Sequence, residues 1–335
     1  MNLTQFLNDW NGLSPFITLK TSGSTGEPKQ IIVEKKRMEA SARRTCEALD
    51  LRQSDTALLC LPLEFIAGKM MVVRSIVGRL KLIDVEPSGH PLQHIDTHTE
   101  PVIFAAMTPM QVYNSMQQPE ELKRLKAISK LIIGGGPVSQ EMANLLLHFP
   151  NQVWSTYGMT ETLSHIALRK LSGSQASDWY EPLPGISLSL NSDGCLVVDA
   201  PDICTETLTT RDRAEIIEDQ HRIVRFRILG RIDNVINSGG VKIQIEEVER
   251  VLSSYLNHPF IVAPCPDPRF GQIVVILTTA SSDIVASAID AIPPDVLPKY
   301  HRPRRIIHID DIPLTPTGKP ARAVAARMAE VISRE

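Results

Sequence analysis

The sequence predicts an α/β protein in two parts. The first is a large N-terminal domain on a mostly parallel βαβ sheet with a small antiparallel β subdomain; the second is a small α+β C-terminal domain on a hinge. Three observations predict this. Short apolar runs alternate with amphipathic stretches through the first half, which is the pattern of βαβ units. From about Leu183 to Leu229 the runs become short, alternating and divided by turn residues, which is the pattern of antiparallel pairing. After Gly230 a new helix–strand–strand–helix–strand series starts, of a size to hold its own core. The chain has 335 residues, room for about two domains at ~150 residues each. We place them at 1–230 and 231–335.

Taken in order, Phe16–Leu19 and Gln30–Val33 are the first predicted strands, and Lys36–Leu49 is an amphipathic helix. Thr56–Leu61, Arg79–Val85, Val102–Ala106 and Lys130–Gly134 are apolar enough to be buried strands. Ile66–Val77, Thr108–Gln117 and Ser139–Phe149 between them repeat apolar residues at helical spacing. Tyr157-Gly158 should turn the chain at a strand end, and Leu163–Leu168 reads as strand. Ile186–Leu190, Cys195–Val198 and Ile223–Ile228, with the turn Asn191–Gly194, make the antiparallel part, read as a small barrel. The last part runs helix Ile245–Tyr255, strands Ile261–Pro264 and Ile273–Thr278, helix Ser282–Ile292 and strand Arg305–Ile309.

Composition narrows the function. Hydrophobic residues are 43%, charged residues 22% and net charge −3, so neither a disordered chain nor a basic nucleic-acid surface is expected. No stretch approaches the ~20 apolar residues of a membrane span, and MNLTQFLNDW does not read as a signal peptide. Five cysteines without a CxxC pair fit reduced thiols in a cytoplasm.

The densest chemical signal is Thr21, Ser22, Gly23, Ser24, Thr25, Gly26, Glu27, Pro28 and Lys29, between two predicted strands. Its glycines let backbone N–H groups converge on an anion, and four hydroxyls and Lys29 add donors and charge. It fails the Walker A pattern, because Glu27 follows Gly26. Four further segments follow: Tyr157-Gly158-Met159-Thr160-Glu161, Thr209-Thr210-Arg211-Asp212, Gly230-Arg231-Ile232-Asp233 with Ser238-Gly239-Gly240, and Pro313 to Lys319.

These five segments, in this order, resemble the motifs of the adenylate-forming enzymes: acyl-CoA synthetases, luciferases and peptide-synthetase adenylation domains. The resemblance covers about residues 15 to 325. Within the family, the length and the segments Leu61–Met71 and Ile236–Glu249 most resemble the o-succinylbenzoate–CoA ligases of menaquinone synthesis. The resemblance implies ATP, Mg²⁺, coenzyme A and a small carboxylic acid as reactants. It implies no nucleic acid, and it allows a homodimer. A carboxylate ionised at pH 7 attacks the α-phosphate without a general base, so positive charge and fixed dipoles carry the step.

Residue by residue, the resemblance implies Lys319 at the reacting carboxylate and α-phosphate, Thr160 on the α-phosphate and Glu161 on Mg²⁺. Gly134, Gly135, Gly136 and Pro137 would present backbone to adenine, with Tyr157 stacking beside Gly158 and Met159. Asp212 and Arg231 would hold the ribose, Asp233 would be the hinge, and Gly239 and Gly240 would leave room for pantetheine. Phe65, Gly68, Lys69 and His165 are acyl-pocket candidates. Lys69 and Arg74 lie about 140° apart on one helix, so one is expected to face in, and Lys69, beside Gly68, is favoured.

Two departures stand out. Arg211 replaces the family's glycine before Asp212, and Phe65 stands where relatives often have histidine. Most relatives also carry well over a hundred residues before the phosphate loop; here there are 20, so the first part of the large domain is expected to be reduced. The competing readings are an enzyme for another aryl or acyl acid, one that loads a carrier protein, and a non-catalytic nucleotide-binding protein, which would not need Lys319.

Overall fold

A computed structural model describes residues 1–20, 30–93, 95, 101–220, 222–315 and 319–332. The chain opens with α1 (Leu3–Asn11), closed by a reciprocal cap. Asn2 Oδ1 accepts from the Gln5 N–H and Gln5 Oε1 from the Asn2 N–H, each at 2.9 Å. No helix was expected here, because α1 buries only Phe6 and Trp10. Next, β1 (Phe16–Lys20) and β2 (Gln30–Glu34) pair antiparallel, with Lys20 opposite Gln30. The phosphate-loop residues Thr21–Lys29 join these two strands and lie outside the described residues. Immediately after comes α2 (Lys35–Ala48).

The βαβ part comprises β3 (Thr56–Leu59), α3 (Ile66–Gly78), β4 (Lys81–Asp84), β5 (Phe104–Met107), α4 (Pro109–Gln117), α5 (Pro119–Ala127), β6 (Lys130–Ile133), α6 (Gln140–Leu146), β7 (Gln152–Met159), β8 (Ser164–Lys170) and β9 (Glu181–Pro182). Its seven strands run in the order β4-β3-β5-β6-β7-β8-β9. Neighbours are parallel from β4 to β7 and antiparallel from β7 to β9. Thr108 caps α4 by accepting from the Gln111 N–H at 3.2 Å, with Pro109 at the first helical position. Pro119 then ends α4 and starts α5, a helix the sequence reading lacked. Leu58, Ala105, Leu131, Ile133 and Val153 of the strands pack with Leu125, Met142 and Leu146 of the helices.

The antiparallel part is β10 (Ser187–Leu190), β11 (Cys195–Asp199), β12 (Leu208–Asp219) and β13 (Arg222–Arg231), hydrogen-bonded in that order. It is an open four-stranded sheet and corrects the expected barrel; four strands are too few to curl and meet edge to edge. The last part is β14 (Val235–Ser238), β15 (Val241–Gln244), α7 (Ile245–Leu252), β16 (Phe260–Asp267), β17 (Gly271–Thr278), α8 (Ser282–Asp290), β18 (Arg305–His308) and α9 (Arg322–Ile332). Its sheet runs β15-β14-β17-β16, with β18 parallel to β17.

The chain divides into two compact units. The first holds residues 1–189, 197–209 and 216–227; the second holds 190–196, 210–215 and 228–335. In the second unit, one face of the sheet packs Val248, Leu252 and Val285 of α7 and α8. The other packs Ala325 and Ala329 of α9. The five cysteines are buried free thiols. Among the described residues no helix is long and apolar enough to cross a membrane.

Candidate functional site

In the first unit the site is built on the turn between β7 and β8. Tyr157-Gly158 does not end its strand as expected: β7 continues to Met159, and the register slips between Tyr157 and Gly158 as β8 pairs alongside. Only glycine fits there, because a Cβ on Gly158 would lie 2.1 Å from the Ser164 carbonyl oxygen. Thr162 then staples the turn. Its Oγ1 accepts from the Met159 N–H at 2.9 Å and donates to the Ser164 carbonyl at 2.7 Å. Leu163 and Ser164 are held at φ of 55° and 131°, values that non-glycine residues adopt only at a cost. Thr160 is left half-buried and Glu161 exposed.

Neighbouring segments brace this turn. The Cys204 thiol donates to the Glu161 carbonyl at 3.6 Å, and Arg37 Nη1 donates to the carbonyls of Pro201 and Cys204, both at 2.7 Å. Sequence reasoning gave no role to Thr162, Cys204 or Arg37, although Thr162 directly follows the Tyr-Gly-Met-Thr-Glu segment. Tyr157 sits in an aromatic group, 5.9 Å from Tyr180 and 5.3 Å from Phe226 between ring centres. Gly134–Pro137 follows β6. A Cβ on Gly134 would meet Thr156 Oγ1 at 2.3 Å, and Gly135 has φ of 84°.

Of the acyl-pocket candidates, His165 lies on β8, and Phe65, Gly68 and Lys69 lie at the start of α3. Phe65 is its N-cap residue, half-buried. Gly68 sits against the preceding loop, where a Cβ would lie 2.4 Å from the Pro62 carbonyl. Lys69 and Arg74 are both buried, at 3% and 1% exposure, which corrects the expectation that one alone faces in. Residues 68–75 are buried on every side, so a 140° rotation does not reach water. Lys69 Nζ donates to the Leu63 carbonyl, and the residue lines a cavity of about 460 Å³ with Phe16, Ile17 and Thr18. Arg74 Nη2 donates to Ser164 Oγ at 2.7 Å and approaches His165 Nδ1 at 3.4 Å, while its buried Nε has no partner. Burial, and then the charge of Arg74, hold the His165 imidazole well below its ordinary range, so it is neutral.

In the second unit, charged groups alternate. Arg211 Nε lies 2.9 Å from Asp233 Oδ1, Arg231 Nη2 lies 3.1 Å from Asp233 Oδ2, and Arg231 Nη1 lies 3.5 Å from Asp212 Oδ1. The Ile232 N–H donates to the Arg211 carbonyl at 2.8 Å and aligns the two segments. Lys319 follows residues 316–318, which lie outside the described residues. Its carbonyl accepts from the Thr315 N–H at 2.7 Å. Its surface is exposed, yet surrounding protein and the nearby Arg231 lower its ammonium below the usual lysine range, with Asp212 opposing. Gly239 and Gly240, at φ of 59° and 83°, turn β14 into β15.

The sequence reading missed a clasp around residues 230–234. Gln244 Nε2 donates to the carbonyls of Arg231 and Asn234 at 2.8 and 3.2 Å, and to Glu246 Oε2 at 2.6 Å. Arg322 holds Glu249 through two nitrogens at 2.9 and 2.7 Å. Among the described residues no group of three His, Cys, Asp or Glu is disposed to hold a metal.

Comparison with known proteins follows the same lines. Residues 14–202 match the family described as AMP-binding enzyme. A curated protein of Bacillus mycoides (strain KBAB4) named 2-succinylbenzoate–CoA ligase is 23% identical over 92% of this chain and 69% of its own. The crystal structure of an acyl-CoA synthetase (AMP-forming)/AMP-acid ligase II-like protein from Dyadobacter fermentans is 32% identical with a TM-score of 0.64. It covers 96% of this chain and 91% of that one. The Bacillus subtilis o-succinylbenzoate coenzyme A synthetase in complex with ATP and magnesium shares the fold. Its TM-score is 0.73 at 21% identity, over 91% of this chain and 68% of that one.

Proposed function

Because the chain belongs to the AMP-binding enzyme family, we propose that it is an ATP-dependent acid–CoA ligase working in two half-reactions. A carboxylate oxygen attacks the α-phosphorus of ATP, the bond to pyrophosphate breaks, and an acyl-adenylate forms. The coenzyme A sulfur then attacks the acyl carbon and AMP leaves. The observation that carries this reading is the grouping of Lys319 with Arg231 and Asp212 inside one unit. A cation beside a ribose-accepting carboxylate suits a reaction in which one anion attacks another. Asp212 has two oxygens for the ribose hydroxyls, and Thr160 offers a hydroxyl to the α-phosphate.

Glu161 is suited to Mg²⁺. It is an exposed carboxylate on a braced turn, and Mg²⁺ takes one or two carboxylates together with phosphate oxygens and water rather than a protein cage. Bound with ATP, Mg²⁺ would neutralise phosphate charge.

For the acid we propose o-succinylbenzoate or a near relative with a second carboxylate. The names of the curated relatives support this. So does Lys69, a buried cation on the wall of the cavity that Phe16, Ile17 and Thr18 also line. A second carboxylate taken up there would be costly without a cation to meet it. The test is pyrophosphate release over a panel of carboxylic acids. Turnover of o-succinylbenzoate, with KM raised tenfold or more in Lys69→Met, is expected, since a hydrogen bond to a charged group contributes ~1.5–3 kcal/mol. Turnover of medium-chain fatty acids alone would sink the substrate assignment.

A further inference from the structure

We propose that His165 is a positioning residue: an Nε2–H imidazole that, with Arg74 on α3 and Thr45 and Ser41 on α2, pins the Thr160–Ser164 turn in its strained shape. The proposal rests on the reading of Thr160 and Glu161 as the residues that meet the α-phosphate and the metal.

Donor and acceptor directions in this group follow from chemistry. A guanidinium has no acceptor, so Arg74 Nη2, 3.4 Å from His165 Nδ1, can only donate to it. Ser164 Oγ, which accepts from Arg74 and also lies 3.4 Å from Nδ1, turns its own hydrogen there, and the ring proton is assigned to Nε2. That N–H faces Thr45 Oγ1 at 3.1 Å. Thr45 can accept it because its own hydroxyl hydrogen goes to the Ser41 carbonyl at 3.2 Å. Ser41 Oγ donates in turn to the Leu163 carbonyl at 3.4 Å. The chain of bonds therefore starts at Arg74, passes through His165 and α2, and returns to the turn two residues before His165. Arg74 closes it on the other side by donating to Ser164 Oγ at 2.7 Å.

The two residues trapped between these contacts, Leu163 and Ser164, are the ones with positive φ. Backbone in that state persists only where its surroundings over-determine it. Ser41, Thr45, Arg74 and His165 are all at most 4% exposed, so water cannot replace a lost partner. The position of α2 adds a second link. It begins directly after β2, so the same helix that braces the turn also continues the β1–β2 hairpin.

The experiment combines a spectrum with a kinetic split. In ¹⁵N-imidazole spectra of the whole protein at pH 7, with the His165 signals identified by their loss in His165→Gln, a protonated Nε2 and a bare Nδ1 are expected. Thr45→Val, which keeps shape and removes the hydroxyl, should lower kcat for pyrophosphate release about tenfold with KM for ATP within about twofold. Thr45→Ser should restore most of it. An Nδ1–H tautomer, an unchanged kcat in Thr45→Val, or equal losses in Thr45→Ser and Thr45→Val would overturn the proposal. If Thr45→Val does not fold, Ser41→Ala takes its place with the same expected split. A wild-type protein that releases no pyrophosphate with any acid would defeat the functional reading instead, and the tautomer alone would then decide the His165 assignment.

Discussion

Arg211 and Asp233 form an ion pair, Nε to Oδ1 at 2.9 Å, that joins a residue standing where the resemblance to the adenylate-forming enzymes expects glycine to the residue that the same resemblance proposes as a hinge. Asp233 is shared, since Arg231 holds its other oxygen at 3.1 Å and reaches Asp212 at 3.5 Å. The departure from the family motif therefore adds one more charge to an existing alternation rather than breaking it.

Arg211→Gly tests how much this pair contributes. Arg211 is 68% exposed, so the pair is screened by solvent and its loss should cost no more than about 1 kcal/mol of stability. The difference from wild type, read by denaturant melts, should shrink markedly in about 1 M salt, where the screening length falls to ~3 Å, about the separation of the pair. A loss that survives high salt would mean that Arg211 acts by packing.

Lys319→Ala should cut pyrophosphate release by roughly 10²–10³, the usual effect of removing a positioned electrostatic group. Supplying synthetic acyl-adenylate with coenzyme A should restore thioester formation, because the charge is needed only where carboxylate meets α-phosphate. Near-normal pyrophosphate release in the variant would remove Lys319 from the mechanism.

Asp233→Pro should separate the half-reactions the other way. Proline fixes φ near −65° and removes an N–H, so a hinge at this position would be locked. Pyrophosphate release should persist while thioester transfer falls sharply. Loss of neither step would move the hinge elsewhere in the 230–234 segment, and equal loss of both would point to damage of the Gln244 clasp.

His165 should give stability a slope in mildly acid solution. Burial, then Arg74, lower its pKa, so below about pH 6.5 the unfolded chain binds a proton that the folded chain does not. The unfolded state then binds more protons, and stability falls as pH drops, by up to ~1.4 kcal/mol per pH unit. The lowered carboxylates Glu34, Asp50 and Glu64 lose their contribution only as pH falls through about 4.5 and below, and Asp84, raised by burial, acts in the opposite sense above its ordinary range. Between about pH 6.5 and 5 the difference between wild type and His165→Gln therefore isolates the histidine. Denaturant melts of wild type and His165→Gln across that window should diverge; parallel lines would show that folded His165 takes up the proton.

Most of the sheet-forming strands of the first unit could be read from the chain, because β3, β5 and β6 are apolar runs and their connecting helices repeat apolar residues at helical spacing. α1 and α5 were not, because each buries only two residues and leaves too thin a stripe. The Tyr157–Glu161 segment was visible as a motif, whereas its slip in register and the staple by Thr162 were not. Both depend on β8 returning alongside β7.

The sequence by itself determined the βαβ order, the five ordered motifs and hence the kind of chemistry, since these reside in local periodicity and in residue types at short spacing. Tertiary structure alone decided that Lys69 and Arg74 are both buried, and that Arg74 meets Ser164 and His165 some ninety positions away. It alone decided that Thr45 completes the chain of bonds from α2, and that Arg211 finds Asp233. The physical reason is the same in each case. Burial and partner choice are set by whichever segments pack together, and a residue's own neighbours in sequence carry no record of which distant donor or charge will reach it.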